Sequence, residues 1–311
     1  MVYTLASHLV SSLDTTMYKL GVDIGGTKLE AVLISQDNLI IRRKRVATQA
    51  NLGCLHIISR IGKLVQEILH GEGTIKYKVG VGSPGSISPE TGLLRNSNTL
   101  CLNNKPLKEL IESELNCPVV LENDANCFAL AESLEGAGKN FDSVFGIILG
   151  TGCGGGIIIK GQRLIGKNFI AGEWGHHSID INGRECWCGK KGCVETYLSG
   201  SGVEKQYYEL TGKHISAREI FSSETKFAIQ IKDSFYEMFG RGVANVCNIL
   251  DPDVIVVGGG LSNVLNLYDL GLESLKKYTF TSNLRTKLVK NLLGDSAGVI
   301  GAAHLTDKLV F

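Results

Sequence analysis

The sequence predicts a mixed α/β protein built from two related lobes, and three observations lead there. Its 311 residues suit two domains, at roughly 100–200 residues each. A pattern of strand, glycine turn, strand, turn, strand occurs twice, with starts about 125 residues apart. Glycine supplies 38 of the 311 residues, well above the usual ~7%, and no collagen period or low-complexity run absorbs it. Those glycines belong at turns and where backbone approaches a ligand.

Residues 1–17 read as a leader, with Met17 an alternative start directly before the first strong strand. The first unit, Tyr18–Val46, runs from the strand KLGVDI through a Gly25-Gly26 turn to the strand KLEAVLI. An Asp37-Asn38 turn then leads into LIIRRKRV. Apolar residues at 54, 57, 58, 61, 64, 65 and 68 mark an amphipathic helix. A strand, KYKVGVGSP, is followed by a polar loop through Asn104, a short helix near 106–115 and the strand PVVLE. Asn123-Asp124 opens a helix with Ala125, Phe128 and Ala129 on one face; Asn and Asp are both favoured caps. The second unit, Ser143–Ile165, comprises SVFGIIL, the turn GTGCGGG, IIIK, a turn at Gly161 and QRLI. The rest is mostly helical, with a strand Val254–Val257 running into Gly258–Gly260. We therefore expect a small lobe at 18–123 and a large lobe at 124–295. The tail at about 296–311 packs back on the first, with hinges near 124–140 and the C-terminus.

The formal net charge of +1 gives no sign of a nucleic-acid-coating protein. No run of about 18 apolar residues suggests a membrane span. The first 16 residues lack the basic start, apolar segment and cleavage site of a secretory signal. Nine cysteines are an odd number, and three crowd within eight positions, which fits a metal site in a reducing cytoplasm better than disulfides.

Three glycine turns at strand ends can receive phosphates. In the first, Gly25, Gly26, Thr27 and Lys28 offer backbone and side-chain donors, while Asp23 can hold magnesium through water. A strand follows where dinucleotide-binding and Walker loops require a helix. The second turn is Gly150, Thr151, Gly152, Cys153, Gly154, Gly155 and Gly156; the third, Gly258, Gly259 and Gly260, can flank adenine or ribose. Each alone reads as a tight hairpin or loop. Together they point to a nucleotide between two lobes.

His176, Cys186, Cys188 and Cys193 form a set suited to structural zinc; the alternative is three reduced surface thiols. The remaining cysteines read as small core residues, Cys153 being the one within a phosphate turn. Glu173 and Glu195 flank the zinc set and can accept hydrogen bonds from sugar hydroxyls or simply be solvated. Asp124, at a helix start that favours its ionised form, is either a base toward an alcohol or a cap.

At these residues the chain resembles the ROK family (repressor, open reading frame, kinase) of the actin/hexokinase superfamily, from about Tyr18 to the C-terminus. DIGGTK at 23–28 and GTGCGGG at 150–156 resemble its phosphate loops. ENDAN at 122–126 resembles its catalytic segment, and GEWGH at 172–176 with CWCGKKGCVE at 186–195 its zinc and sugar signature. The resemblance implies a two-lobed, ribonuclease H-like fold with a ligand cleft between the lobes. It places catalysis on Asp124, sugar contacts on Asn123, Glu173, His176 and Glu195, and zinc on His176, Cys186, Cys188 and Cys193. Within the family, GSPGSISPETGLLRNSNTLCLNNKPL at 82–107 and CVETYLSGSG at 193–202 resemble fructokinases of the manno-fructokinase type, which adds Gly85 and Asn98 as sugar contacts. The nine residues between His176 and Cys186 instead match the family's glucokinases. The resemblance implies an ATP- and magnesium-dependent hexose 6-kinase that forms a homodimer, with D-fructose as first acceptor. A glucose, mannose or N-acetylhexosamine kinase is the alternative. A sugar-binding regulator is remote, since only 16–18 residues precede the first strand, with no basic recognition helix.

Overall fold

The computed structural model describes residues 17–72 and 75–308; the expected leader lies outside the described residues up to Met17, which opens the first strand. The first sheet is seeded by β1 (Met17–Ile24), β2 (Lys28–Ile34) and β3 (Ile40–Ala47), an antiparallel meander. Helix α1 (Cys54–Leu69) follows, and every apolar position of its predicted stripe is buried. Each such Ile or Leu contributes about 2 kcal/mol by leaving water. The chain returns through β4 (Lys76–Ser83), parallel to β1. A small hairpin, β5 (Ser86–Ile87) and β6 (Leu94–Arg95), structures the stretch read as polar loop. Helix α2 (Leu107–Leu115) then leads to β7 (Val119–Asn123), parallel to β4.

Helix α3 (Asp124–Leu134) crosses to the second sheet. There β8 (Ser143–Leu149), β9 (Cys153–Ile159) and β10 (Gln162–Arg163) repeat the antiparallel meander. Two details differ from expectation. The glycine turn ends at Gly152, because Gly154–Gly156 already pair with β8, and the third strand stops at Arg163. Helices α4 (Glu195–Leu198), α5 (Gly200–Thr211), α6 (Ala217–Ser222) and α7 (Lys226–Leu250) cover this sheet. Then come β11 (Val254–Gly258), α8 (Leu270–Tyr278) and β12 (Lys287–Lys290), with α9 (Ala297–His304) near the end. The strand orders are β3-β2-β1-β4-β7 and β10-β9-β8-β11-β12, with the same sense at every step.

Residue size explains how the halves join. In β1 and β4, Leu20, Val22, Ile24, Val79 and Val81 pack toward α1. Gly21 and Gly80 alternate with them, are paired in register, and face α9; a Cβ on either would strike the Val299 or Ala302 carbonyl. In the second sheet, Gly146, Gly154 and Gly156 face Ala125 or Ala129 of α3 in the same way. Helices α3 and α9 pack together in a shared cluster with Val32 and Ile34 of the first sheet and Val254 and Val256 of the second. No helix among the described residues is long and apolar enough to cross a membrane.

Candidate active site

Strand β7 delivers Asn123 and Asp124 to the cleft. Asn123 is the cap of α3: its Oδ1 accepts the Ala125 and Asn126 amides at 2.9 and 3.4 Å, and its Nδ2 donates to the Gly85 carbonyl at 3.0 Å. Asp124 thus stands at the first helical position, accepting the Ala125 amide on one oxygen at 2.9 Å. Asp124 lines two cavities at once. The helix-start amides do favour the ionised form, but burial outweighs them. Burial pushes Asp124 up to about 6; the Ala125 amide opposes this and Glu173 adds to it. At the end of β1, burial pushes Asp23 up to about 7, with Asp124 and Glu30 adding to it and Lys28 and Arg45 opposing.

One cavity, of 380 Å³, is lined by Gly85, Asn98, Asn123, Asp124, Glu173, His176 and Glu195, and by Gly150 through Gly155. Asn96, Trp187 and Ser201 also line it. Sequence reasoning missed all three: Asn96 is marked only by a positive φ of 59° within a polar loop, and Trp187 only by standing between two zinc-set cysteines. A second cavity, of 420 Å³, shares Asp124 and Ile148 with the first and adds Asp23, Gly259, Ser262, Asp295 and Gly298. A third, of 990 Å³, shares Gly150, Thr151 and Ser201 with the first and Asn263 with the second; Gly200, Arg218, Phe221, Gly260 and Leu261 also line it. The three therefore adjoin, with Asp124 at the wall between the first two.

The glycine turns divide by role. At the second, the Gly150 carbonyl accepts the Gly200 amide at 2.8 Å and Ser201 Oγ donates to the Thr151 carbonyl at 2.7 Å, tying the turn to α5. Gly156 serves helix packing and lines none of the three cavities. Cys153 is buried, and burial, with Glu195, pushes its thiol well up, so it is no reactive thiol. Gly258 packs on the Phe128 ring, whereas Gly259 (φ 82°) and Gly260 reach the cavities. Gly25, Gly26 and Thr27 form the turn between β1 and β2, exposed at Gly26 and Thr27, with Lys28 opening β2; Thr48 Oγ1 secures the turn by donating to the Gly25 carbonyl at 2.7 Å. They are not among the lining residues of the three cavities; Gly26 faces Thr99.

One donor atom each from His176, Cys186, Cys188 and Cys193 lies within 4.8 Å of the others. His176 Nδ1 is 3.6 Å from Cys186 Sγ, and Cys188 and Cys193 sulfurs are 3.6 Å apart. Such spacing and three sulfurs fit a tetrahedral zinc with ligand bonds of about 2.0–2.3 Å. Gly192 (φ 65°) turns the loop, where a side chain would strike the Asp180 carbonyl. With Nδ1 toward the sulfurs, His176 Nε2 is left for the cavity. Glu195 connects the loop to the glycine turn: its Oε2 accepts the Cys153 amide at 2.8 Å and its Oε1 accepts Trp187 Nε1 at 2.6 Å. Desolvation raises the Glu173 carboxyl; His176 and Arg95 oppose this and Glu195 adds to it.

Two like-built lobes meeting at a polar cleft make the hexokinase-like architecture of sugar kinases. The ROK family model matches residues 19–308, and the chain belongs to that family. It is 36% identical over 301 residues to an N-acetyl-D-glucosamine kinase of Histophilus somni, covering 92% of this chain and 97% of that one. A relative of the same description from Pasteurella multocida is also 36% identical, with 92% and 98% covered. Among solved structures, a ROK hexokinase from Thermus thermophilus matches with a TM-score of 0.84 at 28% identity, covering 94% of this chain and 99% of that one. A ROK family glucokinase from Streptomyces griseus, in complex with glucose and AMPPNP, matches with a TM-score of 0.77 at 30% identity, covering 93% and 98%.

Proposed function

We propose that the chain transfers the γ-phosphoryl group of ATP to the 6-hydroxyl of a hexose, with N-acetyl-D-glucosamine as the acceptor. One observation carries the reaction: Asp124 lines both the 380 Å³ cavity, with its glutamates, asparagines and histidine, and the 420 Å³ cavity beside Asp23. The acceptor rests on the N-acetyl-D-glucosamine kinases that match along nearly the whole chain. They support the N-acetylhexosamine alternative better than fructose, which rested on the segment at 82–107.

The sugar occupies the 380 Å³ cavity, with Glu173, His176 Nε2, Glu195, Asn98 and Asn123 receiving its hydroxyls and Gly85 admitting its ring edge. The nucleotide lies along the 990 Å³ cavity, its phosphates reaching Gly150–Gly152 and Gly259–Gly260. The segment Gly25–Lys28 meets them when the lobes close, excluding water as a competing acceptor. Asp124 takes the proton of the 6-hydroxyl as that oxygen bonds to phosphorus and the bond from phosphorus to the departing ADP oxygen breaks. Asp23 and Asp295 would supply hard oxygen ligands beside the phosphate path, which fits magnesium. Bound there, the ion offsets phosphate charge. The four-residue zinc set holds the sugar-binding loop in shape.

ADP release from zinc-loaded protein at fixed magnesium-ATP tests this with N-acetylglucosamine, N-acetylmannosamine, glucose, mannose and fructose as separate acceptors. The highest kcat/KM for N-acetylglucosamine is expected. A preference for fructose returns the acceptor to the 82–107 resemblance, and no release with any sugar overturns the kinase reading.

A further inference from the structure

Trp187 has no role in the chemistry above, yet it is a wall of the acceptor cavity. It is 63% exposed, so little of its apolar surface stabilises the fold. Even so, the ring is held on several sides. Its Nε1–H donates to Glu195 Oε1 at 2.6 Å, its plane stands at 89° to His176 with centroids 4.9 Å apart, and Cys186 and Cys188 flank it in the chain. Among the described residues, no other exposed large apolar side chain lines that cavity. An exposed indole fixed beside hydroxyl acceptors presents an apolar surface to a ligand, at low entropic cost because the ring is already ordered.

We propose that Trp187 is a specificity-determining residue of the acceptor site, whose indole covers the sugar and receives the methyl of a 2-acetamido group. The assignment rests on the N-acetylhexosamine reading given above. Glu195 couples the two kinds of contact: one carboxylate takes the indole N–H and the Cys153 amide and also lines the cavity. An acetamido sugar gains apolar contact that a plain hexose lacks, and one methyl in an apolar contact is worth about tenfold or more in discrimination.

The test uses the zinc-loaded full chain, Trp187→Ala and Trp187→Phe, with metal content measured for each. The chain has two tryptophans, and the other, Trp174, is buried with its Nε1–H on the Gly154 carbonyl at 2.8 Å. Emission that responds to sugar and is lost in Trp187→Phe therefore reports Trp187. N-acetylglucosamine without ATP is expected to shift and enhance wild-type emission, and Trp187→Phe to abolish the response. Trp187→Ala is expected to lower the kcat/KM ratio of N-acetylglucosamine over glucose about tenfold, mainly through KM, with Trp187→Phe restoring most of it. Two results overturn the assignment whatever sugar is turned over. One is wild-type emission unmoved by saturating sugar. The other is Trp187→Ala lowering both sugars equally at full zinc content, as a merely structural residue would. A wild-type preference for a plain hexose sinks the acceptor reading instead, and is scored on the wild-type panel alone.

Discussion

At the level of single residues, the cleft places two carboxylates where neither is comfortable as an anion. Asp124 is pushed up to about 6 and Asp23 to about 7, burial being the largest cause for each. A base must be deprotonated to accept a proton, so kcat/KM is expected to fall below about pH 6, measured across pH 5–8 in buffers of constant ionic strength. Asp124→Asn is expected to lose about 10²–10⁴-fold in turnover while equilibrium titration still shows sugar binding. Near-wild-type turnover would refute its role. The same shifts set a stability trend. A carboxyl raised on folding stabilises the fold most while protonated, and that contribution fades as pH rises through its folded value. Asp23→Asn should therefore raise the thermal midpoint at pH 8, and the gain should shrink by pH 5 and vanish only below the ordinary carboxylate value of 3.8, where the unfolded chain carries the proton as well. An equal gain at both pH values would count against the buried-charge account. Asp124 was legible as a residue but not as a charge: the sequence shows a helix start, while desolvation depends on what the fold packs around it. Asn123 takes the N-cap position, and Asp124, one residue on, also accepts the Ala125 amide.

At the scale of elements, alternation in the strands carried most of the legible fold. The duplicated meanders, α1, α2 and α3 follow from apolar spacing and turn chemistry. What could not be read was which face of a strand meets which helix, because glycine answers to neighbours distant in sequence. Gly154–Gly156 looked like a loop since three glycines in a row mimic one; in the structure Gly154 and Gly156 are the smooth face on which α3 lies. The same logic governs Gly301 of α9, where a Cβ would strike the Cys127 carbonyl of α3. Alanine suits helix interiors better by about 1 kcal/mol, but here its methyl must push the α3 and α9 backbones apart, and overpacking costs about 1–3 kcal/mol. Gly301→Ala is therefore expected to destabilise by denaturant unfolding, and a stabilised variant would show that the helices separate freely. Glu132 locks the far end of α3. Fully buried, it accepts the Ala137, Leu292 and Leu293 amides at 2.9, 3.1 and 2.9 Å, joining α3 to the segment just before α9.

On the scale of the whole molecule, α3 and α9 form the seam between the two sheets, and the carboxylates proposed for the reaction sit at one end of it. Asp124 begins α3, and the start of α9 lines the cavity that holds Asp23. At the other end His304 of α9 bridges Glu135 at 2.6 Å and Asp307 at 2.8 Å, and Asp307 pairs with Lys19 of β1. The loop carrying the four candidate zinc ligands lies in the second lobe and joins the glycine turn through Glu195, so on the proposed reading metal removal should separate the binding tasks. His176, Trp187 and Glu195 line the 380 Å³ cavity, whereas Arg218, Phe221, Gly260 and Leu261 of the 990 Å³ cavity stand on α6 and the turn after β11. Misplacing a binding group by about 1 Å can cost about 10²-fold. Chelation of zinc is therefore expected to raise the acceptor KM by about 10²-fold while nucleotide affinity, measured by equilibrium titration with a non-hydrolysable ATP analogue, changes little. Re-addition of zinc should restore the KM. Loss of both affinities in parallel would mean that the metal supports the whole second lobe, and an unchanged acceptor KM would detach the loop from sugar binding altogether.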